Sequence, residues 1–198
     1  MSVLILASAS PRRHELLSRV GVRLEIVPST IDEAPREGER PRAYASRLAA
    51  EKALAAARLR PATWILAADT IVLAQGKILG KPSGQDEART MLRLLAGRTH
   101  VVMTAFCLLA PTGAISCEEI ETEVDMRPLS ETEVAAYVAS GEWEGKAGGY
   151  AAQGIAAAFI RTIRGSYTNV VGLPLAEVIE ALARAGAPGA DLANGVPS

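Results

Sequence analysis

Histidine and cysteine are scarce, with two of each in 198 residues. His14 and His100 have no partner at zinc-ligand spacing. Cys107 and Cys117 form neither a metal motif nor a disulfide framework, which predicts a reducing compartment. Aromatic residues make up only 4% of the chain and the formal net charge is −1. A surface that holds nucleic acid by bulk charge or base stacking is therefore not expected. No apolar run approaches the length of a membrane span, and the one at residues 3–7 is too short for a secretory signal. A Gly-x-x-x-x-Gly-Lys-Ser/Thr loop, a Gly-x-Gly-x-x-Gly turn and the elbow motif of Ser–His–Asp hydrolases are all missing. These absences leave a cytoplasmic globular protein, and 49% hydrophobic residues suffice for a real core.

What is present begins at the N-terminus. The apolar run at residues 3–7 reads as a buried strand. Ser10 then suits a helix N-cap, with Pro11 at the first helical position, where its missing N–H costs nothing. Leu16, Leu17 and Val20 recur at helical spacing, and Gly21 is a stop signal. Arg12 and Arg13 fall in the first turn of this helix, where the macrodipole is already positive. Alone, each is misplaced by roughly 0.3–1 kcal/mol. A bound anion would reverse that sign, because backbone N–H groups and two guanidinium forks would converge on it. Two solvated surface arginines are the simpler alternative.

Further along, residues 23–27 alternate like a short strand, and a charged loop bearing Asp32 and Glu33 runs to residue 40. Residues 41–58 are alanine-rich without Gly or Pro and read as a long helix, with Lys52 on or beside its apolar stripe. Residues 64–73 read as a buried central strand with Asp69 in its middle. An ionised carboxylate there needs a cation or a metal, so a structural salt bridge and a catalytic role both fit. A turn at residues 74–77, a Gly80-Lys81-Pro82 loop and a helix opening at Ser83 or Gly84 and closing at Gly97 follow. Residues 100–109 and 115–126 read as an antiparallel hairpin turning at Pro111-Thr112-Gly113. Ser130-Glu131-Thr132-Glu133 is a capping box that starts a helix to residue 139. A glycine-rich loop spans residues 146–154, then a strand is expected over 155–163, a turn at 165–167 and a last helix from Pro174 to about 185. One domain, residues 1–185, is expected, with residues 186–198 as a disordered Pro/Gly-rich tail.

The remaining chemical inventory is a set of cations (Arg12, Arg13, Lys52, Lys81), acids (Asp69, Glu33, Asp32) and a glycine-rich loop. Cations beside carboxylates suit phosphate chemistry with a hard divalent metal, because magnesium takes one or two protein carboxylates together with substrate phosphates.

The order and wording of these segments resemble the Maf, or septum-formation-inhibitor-like, nucleoside triphosphate pyrophosphatases. The resemblance covers residues 4–178. It is carried by Ser8-Ala9-Ser10-Pro11-Arg12-Arg13-x-Glu15-Leu16-Leu17, Glu51-Lys52-Ala53, Ala68-Asp69-Thr70 and Gly80-Lys81-Pro82. It continues through Lys146-Ala147-Gly148-Gly149-Tyr150 with Gln153-Gly154, and through Gly165-Ser166-Tyr167-x-Asn169-Val170-Val171-Gly172-Leu173-Pro174-Leu175. Trp143 departs from the family, which usually has Pro after Ser-Gly-Glu, and this bears on the local loop shape.

The resemblance implies a mixed α/β fold like that of inosine triphosphate pyrophosphatases, an elongated sheet flanked by helices with a cleft between two lobes. It implies hydrolysis of a nucleoside triphosphate to the monophosphate and pyrophosphate with a divalent cation, Mg or Mn. Asp69 becomes the proton acceptor or a metal ligand, with Glu33 as second ligand. Lys52 and Lys81 become catalytic cations, and Ser8, Arg12 and Arg13 bind the triphosphate. Arg12, Thr70 and Gln153 occupy the positions tied to base choice, and the Gly-Gly-Tyr-x-x-Gln-Gly form resembles the dTTP and UTP branch. A 7-methyl-GTP pyrophosphatase of the same family and a non-enzymatic nucleotide-binding regulator of septum formation are the alternatives. The resemblance further implies a homodimer, with no nucleic-acid or membrane partner.

Overall fold

The computed structural model describes residues 3–189. Its first strand, β1 (Leu4–Leu6), is buried throughout, and α1 (Pro11–Arg19) follows it. Leu4 and Leu6 join one apolar cluster, Ile5 and Ala7 another, so both faces of the strand are covered. A strand buried on both sides has to read as a continuous apolar run rather than as an alternating one. β2 (Leu24–Ile26) and β3 (Ile65–Ala74) lie parallel to β1, one on either side. Between them in sequence runs α2 (Pro41–Leu59), whose Ala53 and Ala56 are fully buried beside Ile65 and Ala67.

Gln75 and Gly76, both at positive φ (50° and 73°), turn β3 back into β4 (Lys77–Leu79), a short antiparallel strand. Two left-handed residues are what a tight hairpin needs. The turn is the expected one, but the three-residue strand is too short to leave a period in the sequence. α3 (Gln85–Leu95) starts at Gly84 with Asp86 and Glu87 in its first turn, and Gly97 takes positive φ just after it. β5 (Thr99–Leu109) and β6 (Ile115–Met126) are neighbours in the sheet, joined by a tight turn in which Ala110 N–H donates to Ala114 O. α4 (Glu131–Ser140) carries the capping box foreseen at Ser130 and Glu133, and ends on Gly141 in the left-handed conformation.

Three expectations are corrected here. Residues 155–159, expected as the start of a strand, form a 3-10 turn, and β7 (Ile160–Arg164) begins only afterwards, antiparallel to β6. The Ile155 N–H is taken by the Glu142 carboxylate rather than by a neighbouring strand. The Gly165-Ser166-Tyr167 turn leads into a short helix, α5 (Tyr167–Val171), before α6 (Leu175–Ala185). Finally, Cys107 and Cys117 are bonded to each other, with Cα atoms 4.1 Å apart. They sit opposite one another across the hairpin, five residues before and after Thr112. That is the spacing of an antiparallel pair without hydrogen bonds of its own. The bond removes the cysteine argument for a reducing compartment.

The sheet order is β2-β1-β3-β5-β6-β7, with β4 on β3. The chain folds into two compact units. Among the described residues the first comprises residues 3–69, 104–120 and 172–189, and the second residues 70–103 and 121–171. The core of the first packs Leu17 of α1 and Leu182 of α6 with Leu66 and Phe106 of the sheet. The core of the second packs Met91, Leu92 and Leu95 of α3 and Val134 and Tyr137 of α4 with Val102 and Val124. Ala187, in the expected tail, is buried in the first core, and residues 190–198 of that tail lie outside the described residues. Among the described residues no helix is long and apolar enough to cross a membrane.

Candidate active site

Six of the nine site residues expected from the sequence belong to the first unit. Ser10 occupies the N-cap of α1 and Pro11 the first helical position, but the Ser10 side chain makes no capping bond. Ser8 Oγ instead accepts from the Ser10 backbone N–H at 3.2 Å. No acidic residue stands in the first turn of α1. Arg12 is half-buried there, and burial lowers its pKa from the usual arginine value.

Arg13 is buried, at 8% exposure, and behaves unlike a surface arginine. Its Nε donates to Gly172 O at 2.7 Å, and one terminal nitrogen donates to Ala68 O at 2.8 Å and to Ser8 Oγ at 3.1 Å. One guanidinium thus ties the turn after β1, the part of β3 beside Asp69 and the segment that begins at Gly172 into one piece. Burial lowers its pKa most, and Asp69 and Glu33 raise it again through charge. The charged groups of Arg12, Arg13, Glu33 and Asp69 consequently share one field.

The centre of that field is Lys52. It extends from the buried side of α2, at 8% exposure, and its Nζ lies 2.7 Å from Asp69 Oδ1 and 2.6 Å from Glu33 Oε1. Asp69, 9% exposed on β3, thereby has the partner that an interior carboxylate requires. Glu33 comes from the charged loop after β2 and is the more exposed acid. Asp32, also in that loop, accepts the backbone N–H of Ala34 and turns the chain there. Two carboxylates sharing one ammonium leave oxygen donors at one place, a set that suits a hard divalent cation with a phosphate ligand. Among the described residues no group of three His, Cys, Asp or Glu side chains is arranged to hold a metal ion.

Sequence reasoning overlooked what holds Glu33. Tyr44 Oη donates to the Glu33 carbonyl at 2.8 Å. Arg47 binds both oxygens of Glu39, at 2.6 and 2.7 Å, and also reaches Ala34 O and Glu51. Arg36 closes the network on Glu51 at 2.9 Å. The hydrogen bond from Arg47 holds the Glu39 carboxyl at about 2, well below its ordinary range. Only the spacing of Arg47 and Glu51 at i and i+4 gave any signal of this network.

Thr70, Lys81 and Gln153 belong to the second unit. Thr70 is half-buried on β3, and Lys81 and Gln153 are exposed. The glycine-rich loop packs against the segment that carries Lys81, with Gly148 N–H donating to Gly80 O at 3.0 Å. Gly148 adopts φ 70°, and a Cβ there would come within 3.0–3.2 Å of the Val72 side chain. The positive φ favours glycine at this position, and the Val72 side chain leaves little room for a Cβ. The Tyr150 hydroxyl is 2.7 Å from His100 Nε2, and the Tyr137 hydroxyl accepts the Ala151 N–H at 2.9 Å. Trp143, the departure from the family pattern, is buried and donates to Val138 O at 2.9 Å.

A model of the family described as "Maf-like protein" matches residues 3–185. The chain belongs to the Maf-like family. It is 50% identical over 183 residues to a protein of Paramagnetospirillum magneticum named dTTP/UTP pyrophosphatase, covering 92% of this chain and 96% of that one. A protein of the same name from Cereibacter sphaeroides is 53% identical over 93% of this chain and 96% of its own. Among solved structures, a HAM1 protein from Coxiella burnetii matches with a TM-score of 0.54 and 16% identity over 93% of this chain and all of that one. At that identity the likeness concerns the fold alone. The mixed α/β architecture of the Maf-like chain, a seven-stranded mixed sheet flanked by helices, is the one the resemblance implied.

Proposed function

We propose that this Maf-like chain is a nucleoside triphosphate pyrophosphatase that hydrolyses dTTP and UTP to the monophosphate and pyrophosphate. Half of its residues are identical to those of proteins named dTTP/UTP pyrophosphatase over more than nine-tenths of both chains. The observation that carries the chemistry is the Lys52 ammonium held between Asp69 and Glu33. An anion-binding scaffold alone gains nothing from two carboxylates at its centre, whereas hydrolysis needs a proton acceptor there.

Asp69 takes the proton from the attacking water as the bond between the α- and β-phosphates breaks, and the departing pyrophosphate carries the negative charge away. Lys52 orients the Asp69 carboxylate, with Nζ 2.7 Å from Oδ1. Asp69 and Glu33 would hold a magnesium or manganese ion, which when bound supplies neutralisation of phosphate charge. Arg12 and Lys81 bind the triphosphate. Arg13, whose bonds run to Ser8 and to the backbone beside Asp69, fixes the frame on which Ser8 meets a phosphate. Gln153, with Arg12 and Thr70, reads the base, since an amide offers a donor and an acceptor to a uracil or thymine edge.

The test is product analysis with dTTP, UTP, CTP, ATP, GTP and 7-methyl-GTP, with and without Mg²⁺ or Mn²⁺, for the wild type and Asp69→Asn. Metal-dependent monophosphate and pyrophosphate from dTTP and UTP are expected. The amide keeps an acceptor for Lys52 but cannot take the proton, so turnover should fall about 10²–10⁴-fold without loss of fold. Turnover of 7-methyl-GTP instead would move the specificity, and nucleotide binding without any turnover would make the chain a regulator.

A further inference from the structure

The glycine-rich loop ends in a tight turn that is fastened from outside the loop. Gly154 N–H donates to Ala151 O at 2.9 Å, which makes Ala152 and Gln153 the two central residues of the turn. Ala152 is buried and Gln153 projects to solvent. Both ends of the turn are pinned by the C-terminal part of α4. At one end the Tyr137 hydroxyl accepts the Ala151 N–H at 2.9 Å. At the other, Glu142, the residue after the Gly141 cap, accepts the Ile155 N–H at 2.8 Å.

The Glu142 carboxylate also lies flat against Gly154. A Cβ at Gly154 would collide with Glu142 Oε2, and no other neighbour comes as near. The Glu142 carboxylate thus fills the space that a side chain at position 154 would take. We propose that Glu142 is a positioning residue for base selection, which fixes the turn presenting Gln153 by holding the Ile155 N–H and filling the space beside Gly154. This rests on the assignment of Gln153 to base reading. Glu142 touches no substrate; it sets where the Gln153 amide stands.

The experiment uses the full chain as wild type, Glu142→Ala, Glu142→Gln, Gly154→Ala and the double variant Glu142→Ala/Gly154→Ala. Steady-state kcat and KM are measured for dTTP, UTP and CTP, together with amide exchange at Ile155. A misplaced Gln153 should lower the preference for dTTP over CTP about 10–100-fold in Glu142→Ala, through KM more than kcat. Glu142→Gln keeps an acceptor oxygen and should stay close to wild type. Gly154→Ala should be as damaging as Glu142→Ala, and the double variant no worse than either single one, because removing the carboxylate opens space for the methyl group. Ile155 exchange should quicken in Glu142→Ala but not in Glu142→Gln. Unchanged preference in Glu142→Ala, equal loss in Ala and Gln variants, or additive loss in the double variant would each overturn the inference. A wild type that cleaves neither dTTP nor UTP would instead overturn the functional assignment. Ile155 exchange alone would then decide whether Glu142 fastens the turn.

Discussion

Lys52 is the residue on which the candidate site turns, since it compensates Asp69 in the interior and still reaches Glu33 in a loop. The two acids are held very differently. Asp69 is fixed by a ten-residue strand, whereas the loop that carries Glu33 is held by side chains of α2, Tyr44 on the Glu33 carbonyl and Arg47 on Ala34 O and Glu39. The Arg47 and Glu39 side chains are only 13% and 9% exposed, and the fork geometry engages both carboxylate oxygens. Lysine keeps the charge but cannot reproduce two parallel bonds. Arg47→Ala should therefore reduce turnover about 10–100-fold and raise the concentration of Mg²⁺ needed for half-maximal rate, with Arg47→Lys recovering only part of it. Steady-state rates across a Mg²⁺ titration check this. Equal Mg²⁺ dependence in wild type and Arg47→Ala would mean that the loop stands without its anchor.

Among the elements, the hairpin of β5 and β6 shows how far local pattern reaches. Its two strands and its turn were legible, because apolar content changes sharply at Pro111-Thr112-Gly113. The pairing of Cys107 with Cys117 was within reach as well, since both stand five residues from Thr112, but a cysteine count alone discards that register. The bond closes a loop with a sequence separation of 10, which limits the unfolded chain by about 2.5 kcal/mol on the loop-entropy relation. Reduction with dithiothreitol should lower the urea midpoint of the wild type accordingly and leave Cys117→Ser unmoved. Equal midpoints with and without reductant would show that the bond adds no stability. Elsewhere the limit was physical rather than a matter of counting. The capping box at Ser130 and Glu133 is a local signal and was readable. The 3-10 turn at residues 155–159 was not, because the Ile155 N–H goes to Glu142, thirteen residues away.

For the molecule as a whole, a Pro/Gly linker between units is missing from the sequence for a simple reason. Three of the four boundaries fall at 69/70, 103/104 and 120/121, inside β3, β5 and β6, where strand character must continue, and the fourth, at 171/172, falls in the short connection from α5 to α6. Composition cannot mark a division that runs through a sheet. Motif order could still single out Ser8, Arg13, Lys52 and Asp69, yet only tertiary folding shows that Arg13 also ties Ala68 and Gly172 together through their carbonyls. Stability of the whole fold carries one further imprint, at His100. It is 2% exposed, with Nε2 bonded to the Tyr150 hydroxyl and Nδ1 without a partner among the described residues, and burial depresses its pKa to about 4 against the weaker pull of Asp125. The unfolded chain binds a proton near pH 6.5 that the folded chain refuses until about pH 4. This contribution is complete above pH 6.5 and is lost as the pH falls towards 4, by about 3 kcal/mol in total. The depressed carboxyls of Glu39 and Glu133, both at about 2, act with the same sign but only below their ordinary value of 4.5. Between pH 6.5 and 4.5 the imidazole can thus be isolated. Urea unfolding across that window should show wild-type stability falling with acidification and His100→Gln nearly flat. Parallel curves for the two proteins would mean that the folded chain accepts a charged His100, and that its place beside Tyr150 is open to water.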